Sequence, residues 1–171
     1  SVILNASQDA ATQQNISWMS NPLTSADKAI VKYATKADYD ANGDAALVEF
    51  IGNSYLDTAA ASGNTATNYA VRFNSALLAD LEEATEYVYI VGDGTNWSEL
   101  KTFATERAGA DTNFIVFGDM QSEDTSNTKA VFEQLAASGV DYSFGIQTGD
   151  AVDNAGSYAY WKAIGNAFSD E

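Results

Sequence analysis

The chain has no cysteine, no histidine and a single proline. Without cysteine there is no disulfide, no thiol nucleophile and no thiolate-bound zinc. Without histidine there is no Ser-His-Asp triad and no imidazole metal ligand within these residues. Basic residues are also scarce: 8 Lys and Arg stand against 24 Asp and Glu, for a net charge of −16. A surface of that sign repels a phosphate backbone, so no nucleic-acid partner is expected. The charge favours solubility, and it equally suits a surface adapted to high salt. No apolar run approaches the roughly 20 residues of a transmembrane helix, and no membrane span is expected. No secretory leader is read at the start, where Val2-Ile3-Leu4 already has the character of a strand.

What is present favours β-structure. Hydrophobic residues make up 46 % of the chain and aromatics 12 %, which is enough for a core and argues against disorder. A length of 171 residues suits one domain or two small ones. Short strands are expected at Val2 to Ala6, Asn15 to Ser20, Ala29 to Ala34, Ala46 to Ile51, Tyr69 to Phe73, Tyr87 to Val91 and Ser98 to Ala104. Asn, Asp and Gly lie between them. Strands at this spacing predict an all-β sandwich of about seven strands over residues 1–106. The segment Leu81-Glu82-Glu83-Ala84-Thr85-Glu86-Tyr87 sharpens that reading. Its Leu, Thr and Tyr follow the pattern of a tyrosine corner, in which the phenol hydroxyl bonds backbone a few residues upstream. The segment resembles a fibronectin type III domain, with Glu83 and Ala84 where Pro and Gly are common.

The character changes at Glu106-Arg107-Ala108-Gly109-Ala110-Asp111, which reads as a linker. Beyond it, residues 112–171 read as a partial α/β segment in the order β-α-β-α. Asn113-Phe114-Ile115-Val116-Phe117 is a solid apolar strand of the kind buried on both faces of a parallel sheet. A helix is expected over 126–138, capped by Asp124, Thr125 or Ser126 and ended by Gly139. A second strand leads through Phe144 to Thr148, and a last helix spans 156–168.

Each strand of this segment runs into Gly-Asp: Gly118-Asp119 and Gly149-Asp150. One such dipeptide is an ordinary strand-end turn. Two, each closing an apolar strand with one helix between, point to a site. If the strands are parallel neighbours, both carboxylates lie beyond the carboxyl ends, where open α/β sheets bind ligands. Adjacent carboxylates repel unless a cation sits between them, and oxygen ligands suit Mg, Mn, Ca or Fe and tolerate zinc.

Gly118-Asp119-Met120-Gln121 and Gly149-Asp150-Ala151-Val152-Asp153-Asn154 together resemble the first two motifs of the calcineurin-like metallophosphoesterases. The front of the chain is similar to the N-terminal sandwich of purple acid phosphatases, through Ile16-Ser17-Trp18, Tyr87 to Gly94, Trp97-Ser98 and Phe103-Ala104-Thr105. The resemblance implies that Asp119 ligands a first metal and that Asp150 bridges two metal ions, of Fe, Zn or Mn. Those ions would activate a water against a phosphate-ester substrate. Gln121 stands where the general family has His, and Asp153 where purple members have Tyr. Either could add an oxygen ligand, or Asp153 could serve structure alone. The family's later Asn-His pair and histidine segments have no counterpart here. About 60 residues follow the linker, where a layered domain usually runs to about 100 or more. The phosphoesterase domain is therefore expected to be incomplete, and its remainder to be this segment's partner. By family, the protein is expected to be secreted or at the cell surface.

A second reading makes the sandwich a non-catalytic adhesion or carbohydrate-binding module beside a degenerate phosphoesterase remnant. In that case Trp97, Trp18 and Tyr89 could form a stacking face, although aromatics on strands more often build the core. Asp93-Gly94-Thr95-Asn96 reads as a hairpin turn.

Overall fold

The computed structural model describes residues 1–21, 28–57, 70–121, 126–155 and 157–169. The chain divides into two compact units, with a boundary in sequence between Ala110 and Asp111; one of them is formed largely by Leu4–Asp57 with Ala70–Ala110.

The first unit is a β-sandwich of fibronectin III-like character. Its strands are β1 (Val2–Asn5), β2 (Gln14–Ser20), β3 (Ile30–Thr35), β4 (Val48–Ile51), β5 (Asn53–Asp57), β6 (Val71–Leu78), β7 (Glu86–Gly92) and β8 (Lys101–Ala104). Among the described residues they form two four-stranded sheets, in the orders β1-β2-β6-β5 and β4-β3-β7-β8. The strand expected from Tyr69 runs instead from Val71 to Leu78, and Tyr69 itself lies outside the described residues. Period-two alternation decides what is inside. On β6, Asn74, Ala76 and Leu78 are buried while Phe73, Ser75 and Leu77 are exposed. Antiparallel register places Ile16 opposite Ala76 and Trp18 opposite Asn74. The other sheet contributes Val31, Tyr87, Tyr89, Val91 and Phe103 to the core. Phe103 stacks on Tyr87 with ring centres 5.1 Å apart and meets Tyr89 at 5.7 Å.

Two elements depart from the sequence reading. Helix α1 (Lys36–Asn42) was not expected. Its signal was present: Thr35 is an N-cap, accepting the Asp38 N–H at 3.1 Å, and its hydroxyl also donates to the Asp38 carboxylate at 2.9 Å. A single 3-10 turn over Gly43–Ala46 then leads to β4. Strand β5 was also missed: the expected strand stops at Ile51, and none was read beyond it before Tyr69. Gly52 is a crossing: β4 belongs to one sheet and β5 to the other, with only that residue between them. A Cβ on Gly52 would stand 2.3 Å from the Ser75 carbonyl oxygen, so only glycine lets the chain change sheets so tightly.

The tyrosine corner is in place. The Tyr87 hydroxyl accepts the Glu82 N–H at 2.8 Å. Thr105 locks the same corner, donating from its hydroxyl to the Glu82 carbonyl at 2.6 Å and accepting the Thr85 N–H at 3.0 Å. Tyr87→Phe should cost about 1 kcal/mol, the net value of one hydrogen bond, read as a lower urea midpoint at unchanged slope. Ala84 adopts φ 50°, a left-handed conformation that strains any Cβ by about 1 kcal/mol. Ala84→Gly should therefore raise stability by up to about 0.5 kcal/mol, the relieved strain less the entropy glycine adds to the unfolded chain. A loss of stability would show that the corner is not held in this conformation in solution.

Burial also sets an alkaline limit. It pushes the Tyr89 phenol from 10.0 up to about 12, and it raises Tyr87 as well, against the opposing Glu82 N–H. The unfolded phenol ionises first. The stabilisation is thus complete below about pH 10 and is lost as pH rises from there through about 12. Denaturation midpoints followed from pH 9 to 12 should fall less steeply in Tyr89→Phe than in the parent. Superimposable pH profiles would remove Tyr89 as the cause.

The second unit contains β9 (Phe114–Phe117), α2 (Ser126–Ser138), β10 (Phe144–Gln147) and α3 (Tyr158–Ser169). Helix α2 occupies the expected span. Asp124, Thr125 and Gly156 lie outside the described residues. Strands β9 and β10 pair in parallel, with Phe114 beside Phe144 and Phe117 beside Gln147. One face of the pair is covered by the helices: Phe117 meets Phe132 of α2 edge-on at 5.2 Å, and Phe132 meets Phe168 of α3 in the same way. The expectation that β9 is buried on both faces is not met. On the opposite face Phe114 and Phe144 stack on each other, and Phe114 and Val116 remain 53 % and 59 % exposed. Two helices on one side leave the other side of a parallel pair without a covering layer. Among the described residues no helix is long and apolar enough to cross a membrane.

Candidate metal centre

Parallel pairing brings the carboxyl ends of β9 and β10 to one edge, and each strand continues there into Gly-Asp. Hydrogen bonds carry the pairing beyond the strands. The Thr148 N–H and hydroxyl both donate to the Phe117 carbonyl, each at 2.9 Å. The Asp119 N–H donates to the Gly149 carbonyl at 3.1 Å, and the Gln121 N–H to the Asp150 carbonyl at 2.9 Å. The two turns are thus one hydrogen-bonded unit. From helix α2, the buried Thr128 hydroxyl donates to the Met120 carbonyl at 3.3 Å and ties the first turn to the helix.

Asp119 and Asp150 both adopt left-handed backbone, at φ 52° and 50°. A non-glycine residue there costs on the order of 1 kcal/mol, and such residues gather at functional sites. The two aspartates share this unusual conformation with an offset of one residue, since the register that sets Phe117 beside Gln147 places Asp119 level with Gly149. Both side chains are exposed, as are Gln121 and Asp153. Gln121 is drawn to the pair by its own backbone bond to Asp150. Asp153 lies further along the turn that Asp150 begins.

The donors that meet at this edge are hard oxygens, the chemistry that Mg, Mn and Fe accept. Two carboxylates held on one hydrogen-bonded unit suit one side of such a site. They do not complete a shell: among the described residues no three His, Cys, Asp or Glu side chains come together as a metal-holding group. Sequence reasoning missed three residues that shape this edge, Thr128, Gln147 and Thr148. The one signal available was a pair of polar residues, Gln147-Thr148, ending an otherwise apolar strand.

Trp18, Trp97 and Tyr89 do not form the expected stacking face. Trp18 and Tyr89 are buried at 6 % and 2 % exposure, so they are core and not a stacking surface. Alternation along β2 and β7 turns both of them inward. Trp97 instead carries the Lys32 ammonium 4.6 Å from its ring centre. The Asp93–Asn96 stretch is the expected turn. The Asp93 carboxylate accepts the backbone N–H of Thr95 and of Asn96 at 2.8 and 2.6 Å, an Asx arrangement that closes the loop on itself.

This chain is similar to several solved structures at low identity. The sensor domain of the anti-sigma factor RsgI4 of Pseudobacteroides cellulosolvens is 19 % identical, with a TM-score of 0.38, over 63 % of this chain and 94 % of that one. The fn3 domain of human contactin 1 is 14 % identical, with a TM-score of 0.40, over 64 % and 79 %. None of these scores reaches 0.5, and the fold rests on the strand pairing described above. No curated protein matches the chain. The family model described as the purple acid phosphatase N-terminal domain matches residues 1–105. That span takes in all eight strands of the sandwich and its tyrosine corner, and the chain belongs to this family.

Proposed function

We propose that the segment beginning at Asn113 opens a metal-dependent phosphoesterase domain, and that the whole protein hydrolyses phosphate esters. The observation that carries this reading is the Asp119 N–H bonded to the Gly149 carbonyl. It binds two Gly-Asp turns with matching left-handed aspartates into one unit at the carboxyl edge of a parallel pair. The family assignment of the front domain supports the same reaction class.

In this reading Asp119 would hold one ion and Asp150 would serve both, of Fe, Zn or Mn. Gln121 offers a carbonyl oxygen and Asp153 a carboxylate at the margin. A bound metal pair supplies Lewis acidity and an activated water for attack at phosphorus. This chain's residues contribute the negative charge that draws cations to the edge and the rigid spacing of the first two ligands. The bare apolar face of β9 and β10 fits the same reading. Parallel sheets occur with both faces covered, and Phe114, Val116 and Ile146 await a layer from the remainder of the domain.

The test uses the paramagnetism of Mn(II). Titrated into isotope-labelled protein, it should selectively broaden the amide signals of Asp119, Gly149 and Asp150. Asp150→Asn should abolish that selectivity. Broadening spread over the other acidic residues, with none favouring this edge, would defeat the proposal.

A further inference from the structure

The Gly149 peptide is the joint between the two aspartate turns. Its carbonyl receives the Asp119 N–H at 3.1 Å, and its carbonyl carbon is bonded to the nitrogen of Asp150. Wherever this peptide points, both aspartates follow. Gly149 has φ 142°, and a Cβ there would meet nothing within 4 Å. The position is open, and glycine is the residue with the most backbone freedom. Left to itself, this joint would be the loosest point of the edge.

The Gln147 side chain restrains it. Its carboxamide oxygen accepts the Gly149 N–H, and its carboxamide nitrogen donates to the Gly149 carbonyl at 2.9 Å. One planar group thus engages both polar atoms of one residue. A carboxamide suits this at any pH, because it offers a donor and an acceptor side by side. A carboxylate would accept from the N–H but face the carbonyl with a second acceptor. An apolar side chain would do neither. The chain length matters too: Gln147 reaches two residues ahead along its own backbone.

Resting on the metal-binding reading above, we infer that Gln147 is a positioning residue: its carboxamide clamps the Gly149 peptide and so sets the separation of Asp119 and Asp150. It touches no metal or substrate. It acts through the peptide that both aspartates share, as outer-shell partners orient metal ligands elsewhere, where their loss costs about 10- to 100-fold in affinity.

The experiment compares Mn(II) affinity, from the broadening titration, in the full chain and in Gln147→Met and Gln147→Glu. Met keeps the length and removes both bonds. Glu keeps the acceptor and removes the donor. Amide hydrogen exchange at Gly149 and Asp119 is measured in parallel, together with the melting temperature. The expected result for Gln147→Met is Mn(II) binding weaker by about tenfold or more and faster exchange at Gly149 and Asp119, with an unchanged melting temperature. Gln147→Glu should also expose the Asp119 amide to exchange. Equal Mn(II) affinity and equal exchange in parent and Gln147→Met would overturn the clamp while leaving the metal reading intact. Parent protein that shows no Mn(II) effect at this edge would overturn the metal reading and, with it, this inference.

Discussion

Protein of residues 1–171, assayed with p-nitrophenyl phosphate and added Mn(II), Zn(II) or Mg(II), should give no turnover above the uncatalysed background. The reason is a count of ligands and of transition-state donors. Each ion of a paired site takes roughly four to six ligands. This chain brings Asp119 and Asp150 to the edge, with Gln121 and Asp153 nearby, and it contains no histidine at all. A carboxylate shared between two ions leaves both of them largely solvated, and two cations so weakly held repel each other. The phosphoryl group also lacks partners. Positioning and electrostatic stabilisation supply most of the acceleration in phosphoryl transfer, and only 8 Lys and Arg are available along the entire chain. The proper control is Asp150→Asn. Metal-dependent turnover that disappears in that control would falsify the expectation, and would mean that a second chain or an unforeseen ligand completes the site.

Leu78→Ala should remove about 3 kcal/mol from the sandwich, within the range of enclosed Leu→Ala changes. Leu78 has no exposed surface, whereas its neighbour Leu77 is 48 % exposed. The two differ by one position on β6, and the register that pairs Leu78 with Gln14 and Leu77 with Asn15 puts them on opposite faces. Leu77→Ala should therefore change stability by no more than about 0.5 kcal/mol. For a domain of this size, 3 kcal/mol corresponds to a fall in melting temperature on the order of 15 °C. The comparison is best made in a fragment ending at Ala110, the boundary of the compact unit, which should melt in one cooperative step. Equal losses from the two substitutions would show that β6 is not held in this register. A fragment without a cooperative melt would show that the sandwich does not stand alone.

Much of this arrangement could be read from the residues. The alternation Ile16-Ser17-Trp18 on β2 and the run Tyr87 to Val91 on β7 announce strands with one buried face. The Leu81 to Tyr87 segment announces the corner, because the hydrogen bond that makes it is local: Glu82 and Tyr87 are five residues apart. Helix α2 kept its expected span because its apolar face and the glycine after it are also local signals. The missed elements failed for a different reason. Thr35 caps α1 by accepting the Asp38 N–H, but α1 has no buried residue, so the apolar periodicity that marks helices is absent. Strand β5 shows little alternation in burial. It is a strand because β6 lies beside it, from Ser75 opposite Asn53 to Val71 opposite Asp57.

The same division holds at the candidate site. The types of donor, carboxylate and carboxamide without histidine or thiol, follow from composition alone. So does the position of each Gly-Asp at the end of an apolar strand. Tertiary structure decided that the two strands are parallel neighbours, that both aspartates are left-handed, and that one peptide, gripped by Gln147, joins them. It also decided which face of the pair is covered, since burial on both faces was read from the apolar run Phe114-Ile115-Val116-Phe117 and only Ile115 and Phe117, on the side that meets the helices, are half-buried. The physical reason is range. Periodicity, capping and turn chemistry are interactions among residues a few positions apart, so they are written in the sequence. Pairing, the covering of a face and the coupling of Asp119 to Gly149 across thirty residues depend on groups that become neighbours only when the chain has folded.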